Sequence, residues 1–216
     1  MKKIAIIGAG DLGQHIAHYI NNSQDYQLVG FFDDFQEKGI NKAGLKVLGK
    51  TTDIEIVYKK GEFDEVLVGI GYNYMTFRKE VFDKLSGTIP FATYIHPASY
   101  IDQSAEIGEG SFILPGCVID KKVHIGKNVF LNIHSAIAHD SIIGSNSILA
   151  PSVAIAGFSE VGESCFLGIS TTISDHITIC NHVKTGAGTT IIDHIHESGL
   201  YICTPSRKIK DSHDIF

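Results

Sequence analysis

His139 is followed directly by Asp140. A carboxylate beside an imidazole can hold one ring tautomer and raise the basicity of the ring, which is what a general base requires. Eighteen residues further on stands Gly157, in Ala156-Gly157-Phe158. If that spacing stacks the two residues, the glycine leaves room for a ligand over the histidine. It also offers a bare backbone N–H, a donor suited to the oxyanion of an acyl-transfer intermediate. Standing alone, the His139-Asp140 pair also reads as a surface histidine beside a surface aspartate.

A second constellation lies at the start of the chain. Gly8-Ala9-Gly10-Asp11-Leu12-Gly13 follows the apolar run Ile4–Ile7 and opens an amphipathic segment, Gly13–Ile20. Glycines in that place allow a tight turn and let the backbone approach a phosphate at a helix N-terminus. Asp33 and Asp34 end the next apolar run, Tyr26–Phe32. A carboxylate there commonly meets a ribose hydroxyl. A nicotinamide dehydrogenase would use the same motif, but the rest of the chain offers no ordinary substrate domain.

The elements that must carry these groups differ between the two halves. From Ile95 to His196 the chain repeats every six residues without insertion or deletion. Of the seventeen hexapeptides, sixteen begin with Ile, Leu or Val, the exception being Thr185. The fifth position is small or β-branched: Ser99, Ala105, Ser111, Cys117 and onward. No helix has this period, whereas a parallel β-solenoid turning a corner every six residues does. Three hexapeptides then make one coil, with first-position aliphatics pointing inward, and residues eighteen apart stack, which sets Gly157 over His139. Residues 1–94 instead alternate strand-like and helix-like segments, with a third strand at Val66–Ile70 and a helix at Thr76–Leu85. That order implies a small parallel sheet with helices on its faces. The expected organisation is a Rossmann-like α/β domain over residues 1–94 and a β-helix with a short tail over 95–216.

Composition narrows the function. The net charge of −6 carries no nucleic-acid footprint, and hydrophobic residues at 44% suffice for a sizeable core. No stretch of eighteen apolar residues suggests a membrane span, and the opening run Lys2–Ile7 is too short and too soon interrupted for a signal peptide. The four cysteines lack CxxC spacing and read as thiols of a reducing cytoplasm. His194-Ile195-His196 presents two imidazoles without a third ligand, so no metal site is expected. His176 and His194 stack eighteen apart and read as a solvated corner column. His15 lies close enough to the glycine turn to touch a ligand.

Across nearly its whole length the chain resembles the bacterial sugar acyltransferases typified by UDP-4-amino-sugar N-acetyltransferases and sialic-acid O-acetyltransferases. The likeness rests on Ile7-Gly8-Ala9-Gly10, Phe32-Asp33-Asp34, Ile70-Gly71 with Asn73 and Arg78, Ile95-His96-Pro97, and Leu131-Asn132 through Ala138-His139-Asp140-Ser141. It continues through Ile143-Gly144, Ala156-Gly157, Phe166-Leu167-Gly168 and Thr204-Pro205-Ser206-Arg207. The resemblance implies a left-handed parallel β-helix, although left-handed crossovers break the usual rule. It implies transfer of acetyl from acetyl-CoA to the amine of a nucleotide-linked amino sugar, of the 4-amino-4,6-dideoxy kind, in polysaccharide biosynthesis such as that of O-antigen. By the same resemblance His139 is the base and Asp140 its acid, and the Gly157 backbone binds the acetyl carbonyl. Ile169 and Ala187 meet acetyl-CoA through backbone groups. Gly10, Asp11, Leu12, Gly13, Asp33, Asp34 and Gly71 line the nucleotide-sugar subsite, and Asn132 contacts the sugar. The implied assembly is a homotrimer with acetyl-CoA between neighbouring β-helices.

Departures are local. Asp11-Leu12 replaces the Gly-His pair frequent in relatives, and about two extra residues lie within Tyr72–Phe77, beside the nucleotide. Arg207, Lys208 and Lys210 form a basic cluster suited to the CoA phosphates. Two rivals stand beside the N-acetyltransferase: an O-acetyltransferase of sialic acid or a similar sugar, and a non-catalytic trimeric scaffold that binds a nucleotide.

Overall fold

The computed structural model describes residues 1–203. The basic cluster at Arg207, Lys208 and Lys210 lies outside the described residues. Strands β1 (Lys2–Ile7), β2 (Tyr26–Phe32), β3 (Asn41–Lys42), β4 (Leu45–Gly49) and β5 (Glu65–Val68) form one sheet in the order β3-β4-β2-β1-β5. All neighbours are parallel except the hairpin pair β3 and β4. Helices α1 (Asp11–Asn21), α2 (Ile54–Lys59) and α3 (Met75–Leu85) cover its faces.

Alternation along β1 decides which helix goes where. Successive strand side chains point to opposite faces, so a strand covered on both sides is apolar throughout. Ile4 and Ile6 pack with Ile16, Ala17 and Ile20 of α1. Ala5 and Ile7 pack with Ile54 and Val57 of α2 and with Val81, Phe82 and Leu85 of α3. The β3–β4 hairpin and α2 have no counterpart in the sequence expectation. The hairpin turns on Ala43 and Gly44, both at positive φ (47° and 80°). Ala-Gly lacks the Asn-Gly signal that normally marks such a turn.

From Tyr94–Ile95 onward the chain is a parallel β-helix of short strands, mostly two residues long, in three sheets. Strands of neighbouring coils pair eighteen residues apart, as in Val118 with Ala136 and Ile119 with Ile137, until the closing pair Val183 with Gly199. The first and fifth positions together make the core, from Ile113 and Cys117 to Ile191 and Ile195. In the first coil, which has none beneath it, Ile95 is 39% exposed and Ile101 and Ile107 are half-buried. Thr185 remains buried because its hydroxyl receives the Gly168 N–H at 2.8 Å and bonds the Thr171 hydroxyl at 2.7 Å.

Serine at the fifth position closes the corners. The buried Ser111, Ser141, Ser147 and Ser159 hydroxyls each donate to the carbonyl fifteen residues on and receive the N–H eighteen residues on. Each buried hydroxyl is thereby satisfied, which removes the cost of burying it. The fourth position is left-handed in every hexapeptide from Gly110 to Gly188, including Lys122, Asn128, His134, Asp140 and Phe158.

The two halves share an apolar seam. Tyr94, Phe112, Phe130 and Ile148, each eighteen residues apart, point outward from one solenoid face and pack into the same cluster as α1. Tyr94 stacks on Phe112 at 4.7 Å and Phe112 on Phe130 at 5.8 Å. On the other side Arg78 of α3 is 1% exposed. Its Nη1 donates to the Val68 and Ile70 carbonyls, and its Nη2 donates to the Asn128 carbonyl and side-chain oxygen. Among the described residues no helix is long and apolar enough to cross a membrane.

Candidate active site

His139 and Asp140 occupy a solenoid corner between the strands Ala136–Ile137 and Ile142–Ile143. Asp140 is left-handed (φ 58°), a conformation aspartate tolerates better than most residues. The Asp140 N–H donates to the Lys121 carbonyl one coil below, which fixes that turn. Its carboxylate oxygen lies 3.0 Å from His139 Nδ1. An ionised carboxylate only accepts, so Nδ1 is the donor of this bond and the neutral imidazole keeps its lone pair on Nε2. The side chains are 39% and 25% exposed, so solvent and ligand reach the imidazole.

Counting by eighteen sets Gly157 over His139, and the structure brings them together. A Cβ on Gly157 would lie 2.8 Å from His139 Cε1 and 3.0 Å from Nε2. No ordinary Cβ contact is that short, so only glycine lets the imidazole keep this position. The Gly157 carbonyl accepts the His176 N–H, while the Gly157 N–H takes no partner among the described residues. A backbone N–H without a partner, on the residue that covers the imidazole, can bind the carbonyl oxygen of an acyl group under attack there.

Two aromatic rings complete the corner; the sequence assigns Phe158 no role and presents His176 only as part of a solvated corner column. Phe158 meets the His139 ring edge to face at 5.2 Å, and His176 stacks flat on Phe158 at 4.8 Å. Both belong to the column of Asp140, so the count by eighteen that found Gly157 also leads to them.

The glycine turn sits at the carboxyl ends of β1, β2 and β5, where open α/β sheets bind ligands. Gly8 makes the turn at φ 101° and donates to the Phe32 carbonyl at 2.7 Å. Gly13 is required by packing: a Cβ there would lie 1.9 Å from the Gly8 carbonyl oxygen. Gly10 caps α1 without side-chain help, and a Cβ on it would meet nothing within 4 Å, so the helix N-terminus opens to a ligand. Asp11 places an exposed carboxylate in the first turn of α1, and Leu12 lies 3.9 Å from the Cβ position of Gly71, joining the turn to the loop after β5. Tyr72, next to Gly71, stacks on Phe166 of the solenoid at 4.3 Å.

The two aspartates do different things. Asp33 accepts the Ala9 N–H at 2.8 Å and the Phe35 N–H at 2.9 Å, so it braces the glycine turn. Asp34 accepts the Thr51 N–H and hydroxyl at 2.8 to 3.0 Å. A cleft of about 390 Å³ bordered by Asp34, Phe35 and Lys50 lies beside them. His15 sits between Tyr19 and Phe130, and its pKa is lowered by burial and, to a smaller extent, by His18.

Ile169 and Ala187 lie on a different corner from His139, eighteen residues apart and both exposed. The Ile169 carbonyl accepts the Gly188 N–H at 2.7 Å. The Asn132 side-chain oxygen takes the N–H of Ile133 at 2.8 Å. The hydrogen bonds and ring contacts of His139 all come from the solenoid, from Asp140, Ser141 and Phe158. One chain therefore holds two separate constellations, one around His139 and one around the glycine turn.

Residues 3–85 match the family described as the PglD N-terminal domain, and residues 92–213, more than half of the chain, match the GMPPB C-terminal domain. A UDP-N-acetylbacillosamine N-acetyltransferase of Bacillus subtilis is 31% identical over 112 residues, which are 51% of this chain and 50% of that protein. The chain thus spans about half the length of the curated relative it matches. Among solved structures, the acetyltransferase domain of PglB from Neisseria gonorrhoeae superposes with a TM-score of 0.84 at 24% identity, over 97% of this chain and all of that one. PerB from Caulobacter crescentus, solved with CoA and GDP-perosamine, gives 0.86 at 24%, over 96% and 97%. These likenesses establish a shared fold: a small Rossmann-like domain followed by a left-handed parallel β-helix.

Proposed function

Because the chain belongs to the family of the GMPPB C-terminal domain and carries a PglD N-terminal domain ahead of it, we propose that it is an acetyl-CoA-dependent N-acetyltransferase of a nucleotide-linked amino sugar. The observation that carries this reading is the contact of His139 Nδ1 with Asp140 at 3.0 Å, directly beneath a glycine that no other residue can replace without displacing the imidazole. The names of the relatives agree with it, since the curated one acts on a UDP-linked amino sugar and the Caulobacter protein was solved with CoA and GDP-perosamine.

In this reading the sugar amine attacks the thioester carbonyl, and His139 Nε2 takes the proton that the nitrogen releases. Asp140 stabilises the imidazolium so formed. The Gly157 N–H holds the oxyanion until the C–S bond breaks, and the imidazolium returns the proton to the departing thiolate. Ile169 and Ala187 offer exposed backbone along which the pantetheine arm can run. Gly10 to Gly13, Asp33, Asp34 and Gly71 hold the nucleotide sugar, with Asn132 a further contact to the sugar. The two constellations are joined by assembly: the working unit is a homotrimer in which the glycine turn of one chain serves a solenoid corner of its neighbour. Free thiols at Cys117, Cys165, Cys180 and Cys203 suit a reducing, cytoplasmic setting.

Thiol release from acetyl-CoA, measured with UDP-, dTDP- and GDP-linked 4-amino sugars, tests the proposal. One of these should be turned over, and His139→Ala should lower kcat by roughly 10²–10⁴-fold, the ordinary worth of a general base. Failure of the wild-type protein to turn over any of the three overturns the proposal, and wild-type turnover by His139→Ala overturns the assignment of the base.

A further inference from the structure

Phe158 is out of place in its column. The left-handed position of the solenoid is filled by Gly, Asn, Asp, Ser, His and Lys at every other corner from Gly110 to Gly188. Those are residues with no Cβ, or with polar side chains suited to an exposed corner. Phe158 alone is apolar there, at φ 57°, and it is 53% exposed. A bulky residue in this region is a strained one. Strain kept at an exposed position gains nothing from burial, so its reason must be sought in what the ring touches.

It touches two imidazoles. The edge-to-face contact with His139 is at 86° and 5.2 Å, and the parallel stack on His176 is at 7° and 4.8 Å. Both geometries are those that aromatic pairs favour. The Phe158 N–H also donates to the His139 carbonyl at 3.1 Å, so backbone and ring are fastened to the same residue. His139 is then confined on three sides: Asp140 at Nδ1, Gly157 over Cε1 and Nε2, and Phe158 across the ring. Rotation of the imidazole about its Cβ bond would break both the Asp140 contact and the edge-to-face contact with Phe158.

We infer that Phe158, held flat by His176, is a positioning residue that fixes the plane of the His139 imidazole so that Nδ1 stays on Asp140 and Nε2 stays beneath Gly157. The inference rests on His139 being the base. Its energetic role is orientation, and misplacement of a catalytic group by about 1 Å can cost on the order of 10²-fold in rate.

Asparagine is the discriminating replacement, because it relieves the backbone while removing the ring. Phe158→Asn should melt at or above the wild-type temperature. It should lower kcat about tenfold or more, with KM for acetyl-CoA and for the nucleotide sugar each within about twofold, as expected for lost orientation. Phe158→Tyr, which keeps the ring, should retain wild-type kcat. His176→Phe should retain kcat as well, and His176→Ala should lose part of it. Wild-type kcat in Phe158→Asn overturns the inference. So does a raised KM for acetyl-CoA at unchanged kcat, which makes the ring a binding surface, or dissociation of the variant on sedimentation, which makes it an assembly contact. If His139→Ala retains activity, the reading of the base itself has failed. If His139→Ala is inactive and Phe158→Asn is not, only the positioning role has failed.

Discussion

Arg78 of α3 donates through Nη2 to both the backbone carbonyl and the side-chain oxygen of Asn128, at 2.8 and 2.7 Å, and so bolts the sheet domain to the second coil of the solenoid. Nη1 meanwhile gathers the Val68 and Ile70 carbonyls at the end of β5, just before Gly71. The Asn128 amide passes the connection to Asn146, which donates to Glu163. No carboxylate contacts the guanidinium among the described residues, and burial lowers its pKa to about 9, so at neutral pH it is still a cation held by carbonyl dipoles. Removing it leaves four buried acceptors without donors.

Arg78→Met should therefore cost on the order of 3–5 kcal/mol in urea unfolding, since a buried acceptor left without a donor costs about 1–3 kcal/mol and the relief from burying the cation offsets part of the sum. Arg78→Lys should recover little of this, since an ammonium cannot match the fork geometry. A loss below about 1 kcal/mol in Arg78→Met would show that the bolt is dispensable.

Asp33 and Asp34 are adjacent, yet their partners separate their effects. Asp33→Asn weakens the charge-assisted bond to the Ala9 N–H and frees the glycine turn, whereas Asp34→Asn releases only Thr51. Each change should cost roughly 1.5–3 kcal/mol of stability, the usual worth of a hydrogen bond to a charged group. Asp33→Asn should weaken binding of the cognate nucleotide, measured by calorimetry, more than Asp34→Asn does, because only Asp33 also braces the glycine turn. Equal losses of affinity in the two variants would refute the division.

The solenoid was legible because its period is geometric. A corner every six residues demands an aliphatic at the first position and a small residue at the fifth, whatever the surroundings, and one missed unit would have broken the count. His139, Asp140 and Gly157 were found on the same ruler. The sixth-position column was equally regular, but Phe112, Phe130 and Ile148 become meaningful only once α1 covers them, and sequence does not say what lies opposite an outward side chain. Phe158 and His176 stayed hidden for a related reason. Their column is solvent-facing at most corners, and the left-handed backbone that makes a phenylalanine anomalous there is set by the coil geometry and not by local propensity. In the sheet domain, α2 is six residues long and the hairpin turns on Ala43-Gly44, both below the length or chemistry that announces an element.

His15 carries a pH signature. Burial against Phe130 and Tyr19 lowers its pKa, with His18 adding to the shift. The unfolded chain therefore binds the proton first as pH falls below about 6.5, and protonation favours unfolding. Stability from this group is present above that pH and is lost as pH falls through the folded pKa. Wild-type protein should lose thermal stability between pH 7 and pH 5 faster than His15→Gln does, so that the gap between the two closes on acidification. Melting curves that stay parallel across that range would contradict the assignment.

Gly157→Ala asks whether the close approach over His139 matters to chemistry or only to packing. The added Cβ would fall 2.8 Å from Cε1 and 3.0 Å from Nε2, and the nearest atoms belong to the His139 side chain and not to backbone. Gly157 is not at positive φ, so alanine brings no backbone strain. The collision is therefore relieved by tilting the imidazole away, which loosens its Asp140 and Phe158 contacts at modest cost and carries Nε2 from its place beneath residue 157. Alanine keeps that N–H, so any loss of rate reports the displacement of the base and not the removal of the oxyanion donor. Melting should shift by no more than a few degrees, the effect of about 1 kcal/mol in a chain of this size. Turnover should fall on the order of 10²-fold, as for a comparable misplacement of a catalytic group. A variant that melts like wild type and turns over like wild type would mean that the imidazole works from the tilted position too, and the contact between His139 and Gly157 would then be packing alone.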